Sequence, residues 1–135
     1  MSDMIQLNLP ATGKYLNVLG ASIAEFLQRG VREINDETIY NVQLAAHEAC
    51  TNVIDHAYSG DTSQRMNITV ELLPQSVIVT VKDTGVAFDP SQVVPPNLDV
   101  PQVRGYGLHL IKNLMDEVDY RREDTGNIWR LVKTL

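Results

Sequence analysis

The sequence predicts an α+β fold of two layers, a largely antiparallel sheet covered on one face by helices. Three observations predict it. Segments with apolar residues at every second position come in adjacent pairs, segments with apolar residues three and four apart stand between them, and the order is β, α, α, β, β, long loop, α, β, β, in which neighbouring strands favour antiparallel pairing. The 135 residues, 44% hydrophobic and 21% charged, form no repeat, low-complexity tail or linker, so residues 1–135 read as one domain. A chain of this size buries roughly two-thirds of its unfolded surface.

Each element has its own warrant. Ile5-Gln6-Leu7-Asn8-Leu9 alternates and is stopped by Pro10, as a short strand would be. Thr12 can cap a first helix in which Leu16, Leu19, Ile23 and Phe26 recur on one face up to Gly30. Asp36 is the N-cap expected for a long second helix, whose apolar face is Ile39, Val42, Ala46, Ala49, Val53 and Ala57 and which ends near Tyr58-Ser59-Gly60. Beyond Gly60 the period changes. Ile68, Val70 and Leu72, then Val77, Val79 and Val81, form a hairpin around Leu73-Pro74-Gln75-Ser76. Val86 to Arg104 has no sustained period and holds Pro90, Pro95, Pro96 and Pro101, which fits a functional lid. Gly105-Tyr106-Gly107 then opens a helix with Leu108, Ile111, Met115 and Val118 on one face. A closing hairpin, Val118 to Arg122 and Ile128 to Val132, turns at Asp124-Thr125-Gly126-Asn127.

Composition excludes several function classes. Eleven Lys plus Arg against 17 Asp plus Glu give a net charge of −6, which argues against direct nucleic-acid binding. No run of about 18 apolar residues offers a membrane span, and the N-terminus lacks the regions of a signal peptide, so a cytoplasmic location is expected. The lone Cys50 can form no intrachain disulfide. His47-Glu48-Ala49-Cys50-Thr51 falls short of the zinc-helix pattern because Thr51 stands where a second His is needed. Cys50 reads as a core residue, and His47, His56 and His109 as ordinary histidines. P-loop, Rossmann and nucleophile-elbow patterns are absent from the sequence.

Three constellations remain. Glu48, Asn52 and Asp55 fall within roughly 60° on a helical wheel, away from the apolar face. A solvated helix face explains such a stripe; so does a site, since Asn contributes little to a mid-helix position. Asp83-Thr84-Gly85 follows a strand directly, and is either a plain turn or a buried carboxylate awaiting a donor from a ligand. Gly105-Tyr106-Gly107-Leu108 opens a helix, where free N–H groups and the macrodipole can hold phosphate, although Gly-x-Gly is also common in turns.

In that order, Glu48-x-x-x-Asn52, Asp83-x-Gly85, a long loop and Gly105-x-Gly107-Leu108 resemble the N, G1 and G2 boxes of the GHKL ATPase superfamily. Glu48-Ala49, Asn52, His56-Ala57-Tyr58 and Arg104-Gly105-Tyr106-Gly107-Leu108 are most similar to the wording of the anti-sigma-factor serine/threonine-protein kinase group, over roughly Leu7 to Leu135. The resemblance implies the Bergerat-type sandwich, with a mixed, mostly antiparallel sheet and ATP bound under the lid. It implies that Glu48 is the general base, that Asn52 holds Mg²⁺, that Asp83 takes the adenine amino group and that Gly85 approaches the adenine. Gly105, Gly107 and Leu108 would offer backbone N–H groups to the phosphates, and Asp55, Arg104 and Tyr106 join them as ATP-site residues. Two departures stand out: Ala87 replaces the usual second glycine of the G1 box, and no helical hairpin with a phosphoacceptor histidine precedes the domain.

The resemblance therefore implies a kinase that phosphorylates a small antagonist protein and sequesters a sigma factor in a bacterial partner-switching circuit. Homodimers are common in that group, and Arg29 and Arg32 at the end of the first helix form a candidate docking surface. The alternative is a nucleotide-gated binding module, anti-sigma or adaptor, that transfers little or no phosphate.

Overall fold

A computed structural model describes residues 2–30, 33–88 and 107–135. The elements run β1 (Asp3–Pro10), a 3₁₀ turn (Gly13–Tyr15), α1 (Leu16–Gln28), α2 (Asp36–Asn52), a π turn (Val53–Ala57), β2 (Arg65–Leu72), β3 (Ser76–Asp83), α3 (Gly107–Leu114), β4 (Glu117–Glu123) and β5 (Gly126–Thr134). The strands form one sheet in the order β1-β2-β3-β5-β4, and all four pairings are antiparallel. The last strand of the chain is thus inserted beside β3 and sets Asn127 opposite Asp83.

Alternation decides which face of the sheet is covered. Met66, Ile68 and Val70 of β2, Val77, Val79 and Val81 of β3, and Trp129 and Leu131 of β5 are buried, with more accessible residues between them. The helices meet this face with Leu16, Leu19, Ile23 and Leu27 of α1, Ile39, Val42, Ala45, Ala46, Ala49 and Cys50 of α2, and Ile111 of α3. The second helix lies between the other two, so the two-layer α+β prediction holds. Phe26, expected in the α1 stripe, is only half-buried, because Leu27 takes the core position. Cys50 is fully buried, and burial pushes its thiol up to about 12, leaving no thiolate to react.

Several boundaries differ from the sequence-based expectation. The N-cap of α2 is Asn35, whose Oδ1 accepts from Thr38 N at 2.8 Å, while Asp36 and Glu37 occupy the first turn. The α-helix stops at Asn52 and widens into the π turn, where Tyr58 N donates to Val53 O at 3.0 Å and Gly60 N to Ile54 O at 2.8 Å. Ser59 and Gly60 follow with φ of 49° and 80° and reverse the chain toward β2. Val118 belongs to β4, not to the third helix, which ends at Leu114. The final turn is tighter than expected: Glu123 already pairs with Gly126, so only Asp124 and Thr125 lie outside the strands, and Asn127 is a buried strand residue. No helix among the described residues is long and apolar enough to cross a membrane.

Candidate functional site

The C-terminal half of α2 supplies the first component. Glu48 and Asn52 are half-buried one turn apart, and neither side chain bonds to another described residue. Asp55 lies in the π turn, where i→i+5 winding advances each residue by less than the 100° of an α-helix. It falls behind its place on the wheel, and the α-helical stripe of three is broken after Asn52.

The end of β3 supplies the second. Asp83 is 6% exposed, a carboxylate at a position where the strand pattern calls for an apolar side chain. Its Oδ1 accepts from Gly85 N at 2.8 Å and from Asn127 Nδ2 at 2.8 Å, whereas Oδ2 is buried and has no hydrogen-bond partner among the described residues. Burial raises the Asp83 pKa above the usual 3.8, opposed by the bonds from Asn127 and Gly85 and by the charge of Arg122. A buried acceptor left open is costly unless a donor meets it, which makes Oδ2 a ligand-seeking atom.

Two close approaches hold this turn. Val86 N donates to Ala57 O at 2.9 Å, and a Cβ on Gly85 would stand 2.3 Å from that same carbonyl oxygen, so the chain passes the π turn only because residue 85 is glycine. Tyr58, 8% exposed, accepts from Thr84 N at 2.8 Å and donates to Arg65 O at 2.6 Å, joining the helix end, the turn and the start of β2.

The terminal hairpin supplies residues that the sequence reading missed. Asn127 Nδ2 also donates to Val86 O at 2.8 Å, and Asn127 Oδ1 accepts from the Tyr120 hydroxyl. Tyr120 in turn accepts from Phe88 N at 2.9 Å, and Arg122 Nη1 donates to Gly85 O at 2.6 Å. Phe88 packs edge-on against Trp129 and Tyr120, with ring centroids 5.1 and 5.7 Å away. The signal for Asn127 lay in the strand period: Leu131, Trp129 and position 127 share a face, so a polar residue there faces the core.

These elements converge on a crevice of about 10 Å³ lined by Asn52, Val53, His56, Ala57, Val86, Phe88, Asn127 and Trp129. It brings Asn52 together with Val86 and Phe88, just beyond Gly85, and adds His56, an ordinary histidine on sequence grounds; Asp83 and Gly85 are not among its lining residues. Glu48 lies one turn back along α2, and Asp55 is not among the lining residues. Leu108 is half-buried in the first turn of α3, which packs against α2 and so lies on the same side. Gly107 begins that helix, whereas Arg104, Gly105, Tyr106 and the lid from Asp89 onward lie outside the described residues, as does Arg32. A roomier groove of about 490 Å³ between β1 and α1 contains none of the box residues.

Comparison with known proteins agrees with this fold. Residues 9–133 match the family of histidine kinase-like ATPase domains. Serine-protein kinase RsbW of Staphylococcus aureus is 30% identical over 130 residues, covering 90% of this chain and 80% of the relative. Among solved structures, the RsbU and RsbW domains of Rv1364c from Mycobacterium tuberculosis superpose with a TM-score of 0.71 at 18% identity, over 97% of this chain but 32% of that longer one. The histidine kinase domain of an Erythrobacter litoralis blue-light activated kinase gives 0.60 at 22% identity, covering 93% and 61%. The family match spans nearly the whole chain, and by it the chain belongs to the histidine kinase-like ATPase family, alongside the RsbW serine-protein kinases.

Proposed function

We propose that this chain is an ATP-dependent serine/threonine-protein kinase and anti-sigma regulatory factor that phosphorylates a small antagonist protein in the cytoplasm. The observation that carries the reading is Asp83, whose Oδ2 is buried without a hydrogen-bond partner among the described residues, beside the crevice-lining Asn127, and suits the amino group of adenine. Kinship with serine-protein kinases supports the direction of transfer, to a protein hydroxyl. Glu48, half-buried and carrying no competing bond to the described residues, is the candidate general base. It takes the proton as the acceptor oxygen bonds to the γ-phosphorus and the bond to the leaving ADP breaks.

Asn52, an oxygen-bearing side chain one turn from Glu48, fits a Mg²⁺ ion, which prefers oxygen ligands and keeps several waters. When bound, the ion would neutralise phosphate charge. Gly107 and Leu108 at the start of α3, with Arg104, Gly105 and Tyr106 before it, are the proposed phosphate contacts, and Gly85 the close backbone neighbour of the base. Asp55, in the π turn that follows Asn52, is a further proposed ATP-site residue. The proposed protein partners are the antagonist, a sigma factor and a second copy of this chain.

The test is Glu48→Gln in a phosphotransfer assay with the antagonist. The reading predicts a loss of about 10²–10⁴-fold in rate with ATP affinity nearly unchanged. Undiminished transfer would remove Glu48 from the base role. ATP binding without transfer by the wild type would instead favour the nucleotide-gated binding module.

A further inference from the structure

Asn127 is 2% exposed, and both ends of its amide are engaged. Nδ2 donates to Asp83 Oδ1 and to Val86 O, both at 2.8 Å, while Oδ1 accepts from the Tyr120 hydroxyl and from Arg122 Nη1 at 3.3 Å. This arrangement has a direction. A flipped amide would turn its carbonyl toward a carboxylate and a carbonyl, and its NH₂ toward two donors, so the donor end is locked onto Asp83. Gly85 N adds a second bond to Oδ1, which leaves Oδ2 as the open acceptor of the carboxylate.

We propose that Asn127 is a positioning residue that determines base specificity: by committing Asp83 Oδ1 and fixing the carboxylate plane, it makes the site demand an N–H donor from the base. The proposal rests on the reading that Asp83 receives adenine. It also gives base selection and the backbone at Val86 a shared support, since one amide holds both. A polar residue whose NH₂ is satisfied only by one distant turn, 41 and 44 residues away in sequence, is otherwise a poor use of a core strand position.

The experiment is a calorimetric comparison of ATP with purine riboside triphosphate, which lacks the 6-amino group, on the wild type, Asn127→Leu and Tyr120→Phe. The wild type should prefer ATP by about tenfold or more, as expected for a hydrogen bond to a charged group. Asn127→Leu should bind ATP about tenfold more weakly but purine riboside triphosphate less than about threefold more weakly, so that the preference collapses. Tyr120→Phe, which removes only the hydroxyl that orients the amide, should lower the preference by about threefold and carries the test if circular dichroism shows the Leu variant unfolded. Equal losses for both nucleotides, as from mere loosening of the core, or an unchanged preference, would overturn the role of Asn127 while leaving Asp83 in place. A wild type that does not distinguish the two nucleotides would overturn the Asp83 reading and this one with it.

Discussion

Keeping Asp83 out of water costs the protein stability, and the pH dependence of that cost has a definite sign. Its native pKa is raised above the ordinary 3.8, chiefly by burial, so between the two values the native state holds a proton that the unfolded chain has released. Stability contributed by this group therefore falls as pH climbs through that window, and at neutral pH the full penalty is present. Asp83→Asn keeps the size of the side chain and an acceptor for Gly85 and Asn127 but removes the charge. Thermal melts should show the variant no less stable than the wild type at pH 7, with the difference shrinking as pH falls to below the ordinary 3.8, where the native and the unfolded wild type are both protonated. A variant that melts lower at pH 7 would mean that the charge stabilises the fold. Retaining a destabilising carboxylate in a core position is the physical signature of a residue held for binding.

At the scale of elements, two glycines let separate segments touch. A Cβ on Gly85 would collide with Ala57 O of the π turn, and one on Gly126 would lie 1.8 Å from Asp83 O, at the end of the β3–β5 pairing. Gly85→Ala and Gly126→Ala should each cost about 1–3 kcal/mol, read as a lower urea midpoint at an unchanged slope. Gly20→Ala is the control: its Cβ would meet only Gln43 Nε2, at 3.9 Å, inside α1, and removal of a helix-interior glycine should stabilise by up to about 1 kcal/mol.

The same contacts show what could be read in the sequence. Among the described residues, periods of 2 and 3.6 located every strand and α-helix, while Glu48 and Asn52 stand out as a polar stripe away from the apolar face of α2, and Asp83 and Gly85 as a carboxylate and a glycine at the end of β3. The π turn did not show itself, because Val53 and Ala57 continue the four-residue spacing whether the helix is α or π. Gly126 and Asn127 read as turn residues because turns favour both types, yet their reason for being there is the approach of β5 to Asp83, 43 and 44 positions earlier. The partner is set by the whole sheet, and its one local mark is the strand period that puts position 127 on the core face with Trp129 and Leu131.

For the whole molecule, the order β1-β2-β3-β5-β4 makes the closing hairpin part of the site, since β5 brings Asn127 to Asp83 and β4 brings Tyr120 to Phe88. The crevice of about 10 Å³ is much narrower than a nucleobase, so a base that enters it must part lining residues, of which Phe88 and Trp129 form an edge-on pair. Trp129 is the sole tryptophan. Its fluorescence should therefore change in a saturable way with ATP, and Phe88→Leu should change the starting signal. A titration without any change in the tryptophan signal would mean that the base binds without displacing Phe88.

The most direct measurement is calorimetric titration of ATP, with and without Mg²⁺, into the wild type, Asp83→Asn and Asn52→Ala. An ATP site built on these residues predicts saturable binding by the wild type, a loss of about 10–100-fold in Asp83→Asn despite its intact fold, and a Mg²⁺ contribution that disappears in Asn52→Ala. Binding that Asp83→Asn leaves unchanged, or no binding by the folded wild type, would contradict it.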